Sequence, residues 1–402
     1  MKSKFYRKVL ENGMIVLFEK RDLPVVSVMF AVRCGGINES TEEKGISHFI
    51  EHMLYKGTPN RNAKRIAEEI EKNGGQLNGF TAQTVTGYWC KMPARHLDIA
   101  LDVLSDMIRN PLFDKKELEK ERKVIFEEIK MCVDNPSSYI QDKIHNCLYE
   151  WPFGADLIGT QKTLNSMDRA KIVERFKKIY QPNNMILCVV GDTDIEKILN
   201  FARKNFKTGV GEVPKFKVIK RNEFKIEKRK GIDQANLVLA HHSSLSKDKG
   251  SYSAVVLNAL MTRGLSSRLF SEIREKRNLA YFIGGNIEIS KDYSYCKIYA
   301  GTSKENVETI RKLILKEFEK VSKQLEEKEL QQVKEQLIGN YHISMEDSQA
   351  QMTNLLTFEI DNSDAEEFYN FEKRIKDVKL ENVKKLASEV KKDYSFFALV
   401  PE

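Results

Sequence analysis

Long apolar stretches are absent from this sequence. No apolar run in the 402-residue chain reaches the roughly 20 residues that a membrane-spanning helix needs. The first twenty residues are charged and lack the apolar segment of a signal peptide or a membrane anchor. The sequence therefore predicts a cytoplasmic protein with no membrane partner.

Cysteine is scarce and has no recognisable spacing. The chain contains 6 cysteines and no C-x-x-C pair, at positions Cys34, Cys90, Cys132, Cys147, Cys188 and Cys296. This pattern is typical of reduced intracellular thiols. Most of the cysteines stand in or beside apolar residues, so they are expected to pack as small hydrophobic side chains and not to act as nucleophiles.

Basic runs interleaved with aromatic residues are also missing. Lys and Arg number 66 against 58 Asp and Glu, and the resulting net charge of +8 is modest for 402 residues. Lysine-rich segments are then more simply solvated helix faces, and no nucleic-acid partner is expected. The length favours two domains or more, each with a sizeable core.

What the chain does contain is an H-x-x-E-H motif formed by His48, Glu51 and His52. On a helix, the two histidines at i and i+4 lie on one face, with the glutamate beside them. Two imidazoles suit zinc, which needs one further protein ligand and an open position for water; the carboxylate is placed as a base. A shuffled chain would show the motif only roughly 0.02 times. The alternative is a core helix with two hydrogen-bonded histidines.

A second segment, 115–130, is rich in helix formers and free of Gly and Pro. Its Glu121 and Glu128 are seven residues apart, two turns along one helix face. Composition alone would make them two acids on a solvated face. Together with the H-x-x-E-H motif, however, this segment resembles the pitrilysin family of zinc metallopeptidases (inverzincins), which includes insulin-degrading enzyme, the mitochondrial processing peptidases and half-length bacterial relatives. The resemblance implies that His48, His52 and Glu128 bind Zn²⁺, that Glu121 supports the ligands and that Glu51 is the catalytic base.

The predicted fold class is α+β, with two homologous α/β-sandwich domains, each a mostly antiparallel sheet with helices packed on it. Strands and helices alternate through residues 1–206, the zinc-binding domain, and a Gly- and Lys-containing linker follows at 207–221. Residues 222–402 repeat the pattern: Glu272 precedes Cys296 by 24 residues, much as Glu69 precedes Cys90 by 21. The repeat lacks H-x-x-E-H, so one Zn²⁺ per chain is expected.

The segment from Asn78 to Thr81 allows two interpretations. Asn78-Gly79 is a common hairpin turn. In the pitrilysin family, however, the corresponding strand is an exposed sheet edge that pairs with an extended substrate, so the resemblance implies that Asn78 and Thr81 bind substrate. The family usually has alanine where this chain has Gly79, which would make the edge less stiff.

The second half carries Arg274 and Tyr281, seven residues apart. They resemble a second signature of the family, which implies that they complete the active site by binding the substrate backbone and stabilising the oxyanion. Considered without the family, they would be a surface arginine on a helix and a tyrosine in a core strand.

The resemblance also makes a prediction about assembly. Full-length relatives enclose a chamber with four such domains, whereas 402 residues supply two. We therefore expect a homodimer in which the zinc of one subunit faces the Arg274 and Tyr281 of the other. The predicted function is a zinc-dependent endopeptidase, with a zinc-bound water as nucleophile and Glu51 as general base, that cleaves extended peptides or small unfolded proteins inside the dimeric chamber. The alternatives are a non-catalytic peptide-binding or scaffold subunit, and a zinc hydrolase acting on a non-peptide amide.

Overall fold

Runs of β-branched and aromatic residues form two separate sheets, with helices packed against them. The computed structural model describes residues 4–207 and 209–402, so residues 1–3 of the predicted first domain and residue 208 of the predicted linker lie outside the described residues. The strands are β1 (Lys4–Val9), β2 (Ile15–Lys20), β3 (Val25–Val32), β4 (Gln76–Thr81), β5 (Thr86–Pro93), β6 (Met185–Gly191), β7 (Phe224–Arg229), β8 (Ala235–His242), β9 (Ala280–Ile289), β10 (Ser294–Thr302) and β11 (Ser395–Pro401).

The helices include several longer than four turns. They are α1 (Ile46–Leu54), α2 (Ala63–Glu71), α3 (Leu97–Arg109), α4 (Lys115–Asp134), α5 (Pro136–Leu148), α6 (Gln161–Asn165), α7 (Arg169–Ile179), α8 (Ile195–Asn205), α9 (Ser251–Thr262), α10 (Val307–Gln324), α11 (Glu327–Ser344), α12 (Ser348–Asn362), α13 (Phe371–Lys376) and α14 (Leu380–Val390). A π-helical segment, Phe270–Glu275, precedes β9. None of the helices in the described part of the chain is long and apolar enough to cross a membrane.

The first sheet has the strand order β1-β2-β6-β3-β5-β4, and only β2 and β6 run parallel. Its central strands are buried on both faces. Val26 and Val28 of β3 belong to a hydrophobic core that also contains residues of α1 and α3, whereas the intervening Ser27 hydrogen-bonds Ser348 of α12 at 2.9 Å. Because successive strand residues point to opposite faces, α12 covers the face away from this core.

The second sheet repeats this topology with the order β7-β11-β8-β10-β9. Its only parallel pair is β7 with β11, at the place that β2 and β6 occupy in the first sheet. The remaining pairs are antiparallel, and β9 forms an edge as β4 does. The predicted class, two homologous and mostly antiparallel sheet-plus-helix domains, is therefore confirmed.

The two compact units of the chain are not continuous in sequence. The first contains the residues up to Ile129, together with Asp156–Lys217 and Ser344–Phe368; the second contains Lys130–Ala155, Val218–Ile343 and Tyr369–Glu402. These units differ from the predicted ranges 1–206 and 222–402 because α5 packs on β8 and β11, and α12 packs on β3 and β6. In both cases the helix covers a sheet face whose apolar residues would otherwise meet water.

Candidate metal centre

The helix that carries His48 and His52 is held at its start by a buried carboxylate. Gly45 precedes α1 with φ of +94°, a conformation that favours glycine. The backbone N–H groups of Gly45 and Ser47 donate to Glu39 at 3.0 and 2.8 Å. The Lys44 ammonium lies 3.7 Å from the same carboxylate, and both side chains are fully buried. Glu39, held by Lys44, thus fixes the first turn of α1 and therefore the direction in which its histidines point.

The two histidine rings converge on a carboxylate of α4. The Nε2 atom of His48 lies 3.7 Å from Glu128 Oε2, and the Nε2 atom of His52 lies 3.5 Å from Glu128 Oε1. Ligands about 2.0–2.1 Å from a tetrahedral zinc are roughly 3.4 Å from one another, so these separations fit a shared ion. In the described part of the chain this is the one group of three metal-ligating residues whose ligand atoms all lie within 4.8 Å.

Each ring has a nitrogen that can bind a metal. Glu121 Oε2 lies 3.1 Å from His52 Nδ1. A carboxylate only accepts hydrogen bonds, so Nδ1 carries a proton and Nε2 is the nitrogen that can bind a metal. Glu121 is itself paired with Lys56 at 2.7 Å. Burial, with a smaller contribution from His52, lowers the pKa of His48 to about 3, so that ring is neutral at pH 7.

A buried arginine holds α4 in place. The Arg122 guanidinium donates to the carbonyl oxygens of Leu164 and Met167. It also lies 5.3 Å from the ring centroid of Phe49, the residue that follows His48. Arg122 therefore connects the helix of Glu121 and Glu128 to the helix of the histidines.

Glu51 lies on α1 beside the histidines and touches the edge of the first sheet. The Thr81 hydroxyl donates to Glu51 Oε2 over a long 3.4 Å. Burial raises the pKa of the Glu51 carboxyl above its ordinary value. The site thus combines a metal-ligand set with a carboxylate whose proton affinity is increased, as a general base requires.

The strand that contains Asn78 and Thr81 is the exposed edge of the first sheet. Asn78 pairs with Trp89 and Gly79 with Tyr88, and the turn comes later, where the Ala82 N–H donates to the Val85 carbonyl oxygen. The hairpin-turn interpretation of Asn78-Gly79 is therefore wrong. Asn78 is exposed on β4, and one edge of this strand carries no neighbouring strand among the described residues.

Arg274 and Tyr281 belong to the second unit. Arg274 lies in the π-helical segment, and its guanidinium carbon is 5.7 Å from the ring centroid of Tyr281. Tyr281 is near the start of the edge strand β9 and is 79% exposed. The two residues are thus neighbours. Tyr281 is exposed, whereas the interpretation made without the family resemblance placed it in a core strand.

Comparisons with known proteins agree with this arrangement. The family model described as Insulinase (Peptidase family M16) matches residues 15–161, and the model of the Peptidase M16 inactive domain matches residues 166–337. An uncharacterized zinc protease of Rickettsia felis is 34% identical over 354 residues, 86% of this chain and 85% of its own. This chain belongs to peptidase family M16. The uncharacterized zinc protease YmxG of Bacillus subtilis is 32% identical over 357 residues, 86% of each chain.

Solved structures show the same M16 fold. A protease from Helicobacter pylori has a TM-score of 0.92 to this chain, covers 99% of it and all of its own, and is 24% identical. The peptidase M16 inactive domain from Pseudomonas fluorescens has a TM-score of 0.89 at 19% identity, covering 99% of this chain and 98% of its own. The predicted family and the predicted class of enzyme, a zinc metalloprotease, are confirmed.

Sequence reasoning missed three residues that support this M16 site. Lys56 stands one helical turn after His52. This spacing could have indicated that Lys56 and His52 contact the same carboxylate, that of Glu121. Glu39 gave no comparable signal, because its partners are backbone N–H groups and a lysine whose burial only the fold reveals. Tyr55, with its hydroxyl near Glu51, was also missed.

Proposed function

We propose that this M16 protease is a zinc-dependent endopeptidase that hydrolyses peptide bonds of extended peptides or small unfolded proteins. The observation that carries the proposal is the convergence of His48, His52 and Glu128 within 4.8 Å, with Glu51 on the same helix as both histidines. Donors of this kind at these separations suit Zn²⁺, and we infer one ion per chain.

A zinc ion held there would polarise the scissile carbonyl and lower the pKa of a water to about 7. The protein supplies the side chains around this ion that transfer protons and orient the ligands. Glu51 takes a proton from the attacking water on a carboxylate oxygen and delivers it to the leaving nitrogen, so one residue serves both proton transfers. Glu121 keeps the His52 ring oriented, and Lys56 compensates the negative charge of Glu121.

The shape of the first sheet supports a peptide as the substrate. One edge of strand β4, next to Glu51, carries no neighbouring strand among the described residues, and an extended chain added there would be held by backbone hydrogen bonds whatever its sequence. We infer that Asn78 and Thr81 contact the substrate from this strand, and that the Thr81 hydroxyl also holds Glu51. A non-peptide amide has no backbone to form such a ladder.

The roles of Arg274 and Tyr281 and the assembly state are part of the same proposal. We infer that the two residues bind the substrate backbone and stabilise the oxyanion, a role supported by the exposed tyrosine hydroxyl and the adjacent guanidinium. We also infer a homodimer, with a closed chamber and two shared sites related by two-fold symmetry. Mixing inactive Glu51→Gln with inactive Tyr281→Phe protein should restore cleavage if subunits exchange and share a site. No recovery despite proven exchange would contradict the shared site.

The proposed chemistry is tested with Glu51→Gln, which keeps the size of the side chain and removes its basicity. Wild-type protein should cleave a quenched mixed-sequence peptide library, whereas Glu51→Gln should bind equal zinc and be slower by about two to four orders of magnitude. Glu68→Gln, on the surface of α2, is the matched control and should cleave like wild type. Full activity of Glu51→Gln would refute the role of this carboxylate, and zinc without cleavage by the wild type would favour a scaffold.

A further inference from the structure

The geometry points to Tyr55 as a positioning residue for Glu51, with Gly79 as the residue that makes room for it. We propose that the Tyr55 hydroxyl donates a hydrogen bond to the Glu51 carboxylate and thereby fixes the orientation of the base. This inference rests on the proposed function, because it assigns the orientation of the general base to a specific donor.

The first observation is a buried hydroxyl without a partner. Tyr55 follows α1 directly, and its hydroxyl oxygen is buried with no hydrogen-bond partner among the described residues. Leaving a buried donor unsatisfied destabilises the folded state. Phenylalanine would fill the same space without that penalty, so packing alone gives no reason for the hydroxyl.

The second observation is a glycine with no room for a side chain. A Cβ atom added to Gly79 would lie 2.4 Å from the Tyr55 hydroxyl oxygen and 3.0 Å from Glu51 Oε1. Both oxygens therefore face the same small space beside β4. A methyl group at 79 would occupy it and push the hydroxyl away, which gives a physical reason for glycine where the family resemblance led us to expect alanine.

The neighbouring groups leave Glu51 as the acceptor for this hydroxyl. The Tyr88 and Tyr180 hydroxyls lie nearby but bond each other at 2.8 Å. Glu51 Oε2 is engaged by Thr81, whereas no hydrogen bond to Oε1 is found among the described residues. Because both oxygens border the space that a Cβ atom of Gly79 would fill, rotation of the carboxylate toward Tyr55 would let Oε1 accept this hydrogen bond. The base would then be held from two sides, by Thr81 and by Tyr55.

A glycine inside a strand and an unsatisfied tyrosine both weaken local stability. That both occur beside the same carboxylate is the pattern expected where function, and not packing, determines the residues. Tyr55 does not contact the reacting atoms in this account. It acts through Glu51, and its removal should affect turnover and not substrate binding.

The test compares two tyrosines that each lose one hydroxyl. Tyr55→Phe should lower kcat by about tenfold to hundredfold, the effect of one hydrogen bond to a charged group, with KM and zinc content unchanged. Its melting temperature, measured after removal of metal by a chelator, should be slightly lower than that of wild type, because the proposed hydrogen bond to Glu51 is lost. Tyr180→Phe breaks a satisfied buried pair, so it should lower the melting temperature and leave kcat within about twofold of wild type.

A second pair of variants tests the contact itself. Gly79→Ala should lower kcat more in the wild-type background than in Tyr55→Phe, because loss of the hydroxyl removes the closest clash, at 2.4 Å, and leaves the contacts of the Cβ atom with Glu51 Oε1 at 3.0 Å and the Gly87 carbonyl oxygen at 3.1 Å. The melting temperatures of the metal-free proteins should show the same non-additivity, independently of activity. Unchanged kcat in Tyr55→Phe, with active wild type, would overturn the positioning role alone; additive effects of the two substitutions would overturn the contact. Absence of cleavage by the wild type would refute the proposed function and this inference with it.

Discussion

Replacing Glu39 with glutamine should destabilise the first unit by about 3–5 kcal/mol, the usual effect of breaking a buried ion pair by removing one partner. The carboxylate accepts the N–H groups of Gly45 and Ser47 and pairs with Lys44 in a fully buried site. An amide offers one oxygen, so its NH₂ group would face one of the two donors. Burial lowers the pKa of Lys44 and Glu39 opposes that shift, so loss of the carboxylate leaves a poorly compensated ammonium.

The assay is thermal unfolding followed by calorimetry. A loss of this size corresponds to a melting temperature lower by about 6–20 °C for a unit of roughly 200 residues. Zinc affinity should fall as well, because the first turn of α1 is no longer held. Glu42→Gln is the matched control: its carboxylate is exposed, and its effect should stay within about 0.5 kcal/mol. Lys44→Met added to Glu39→Gln should recover part of the loss. A cost below about 1 kcal/mol for Glu39→Gln would refute this reasoning.

Three further predictions follow from the same structure. Glu128→Gln should lose most of its zinc on dialysis, because a neutral amide is a weak ligand. Glu127→Gln, which changes an exposed neighbour, should keep its zinc. Equal zinc contents of the two variants by mass spectrometry would contradict the ligand assignment. Gly45→Ala should cost more free energy of unfolding than Gly231→Ala: both positions have positive φ, but a Cβ at 45 meets a backbone oxygen at 2.5 Å and a Cβ at 231 meets nothing within 4 Å. Equal losses of unfolding free energy for the two variants in denaturant titrations would show that backbone strain, and not the contact of the Cβ atom at 45, determines the loss. Burial raises the pKa of five of the six thiols, so a thiol reagent should label mainly the half-buried Cys132 in the native protein, and rapid labelling of all six would contradict the packing.

The parts of the fold that the sequence predicted are those with strong local signals. The helix of His48 and His52, the helix of Glu121 and Glu128, and the strand β3 each have a clear periodicity or a continuous apolar run. The family motif then linked the two helices, which lie more than sixty residues apart in sequence. Local pattern and family motif together predicted the metal-ligand set that the structure brings together.

What the sequence did not show depends on contacts distant along the chain. Nothing local in α12 indicates that Ser348 would meet Ser27 of β3, or that Arg7 would form a bidentate ion pair with Glu359 at 2.8 and 2.7 Å. The first strand, which contains Arg7, is short and polar, so it has no strand pattern until it pairs with β2.

The Asn78-Gly79 pair shows a different kind of ambiguity. The dipeptide Asn-Gly occurs both in turns and in strands, and only the pairing with β5 shows that it lies in a strand here. The Tyr55 hydroxyl leaves no room for a Cβ atom at Gly79, and this close approach is likewise invisible in the sequence.

The most direct test of the central claim is a crystal structure of Glu51→Gln with an extended peptide, with data collected on both sides of the zinc absorption edge. The account predicts one zinc peak per chain, about 2.0–2.2 Å from the Nε2 atoms of His48 and His52 and from a Glu128 carboxylate oxygen. It also predicts peptide backbone paired along β4. A fully loaded protein whose zinc lies on other residues would contradict it.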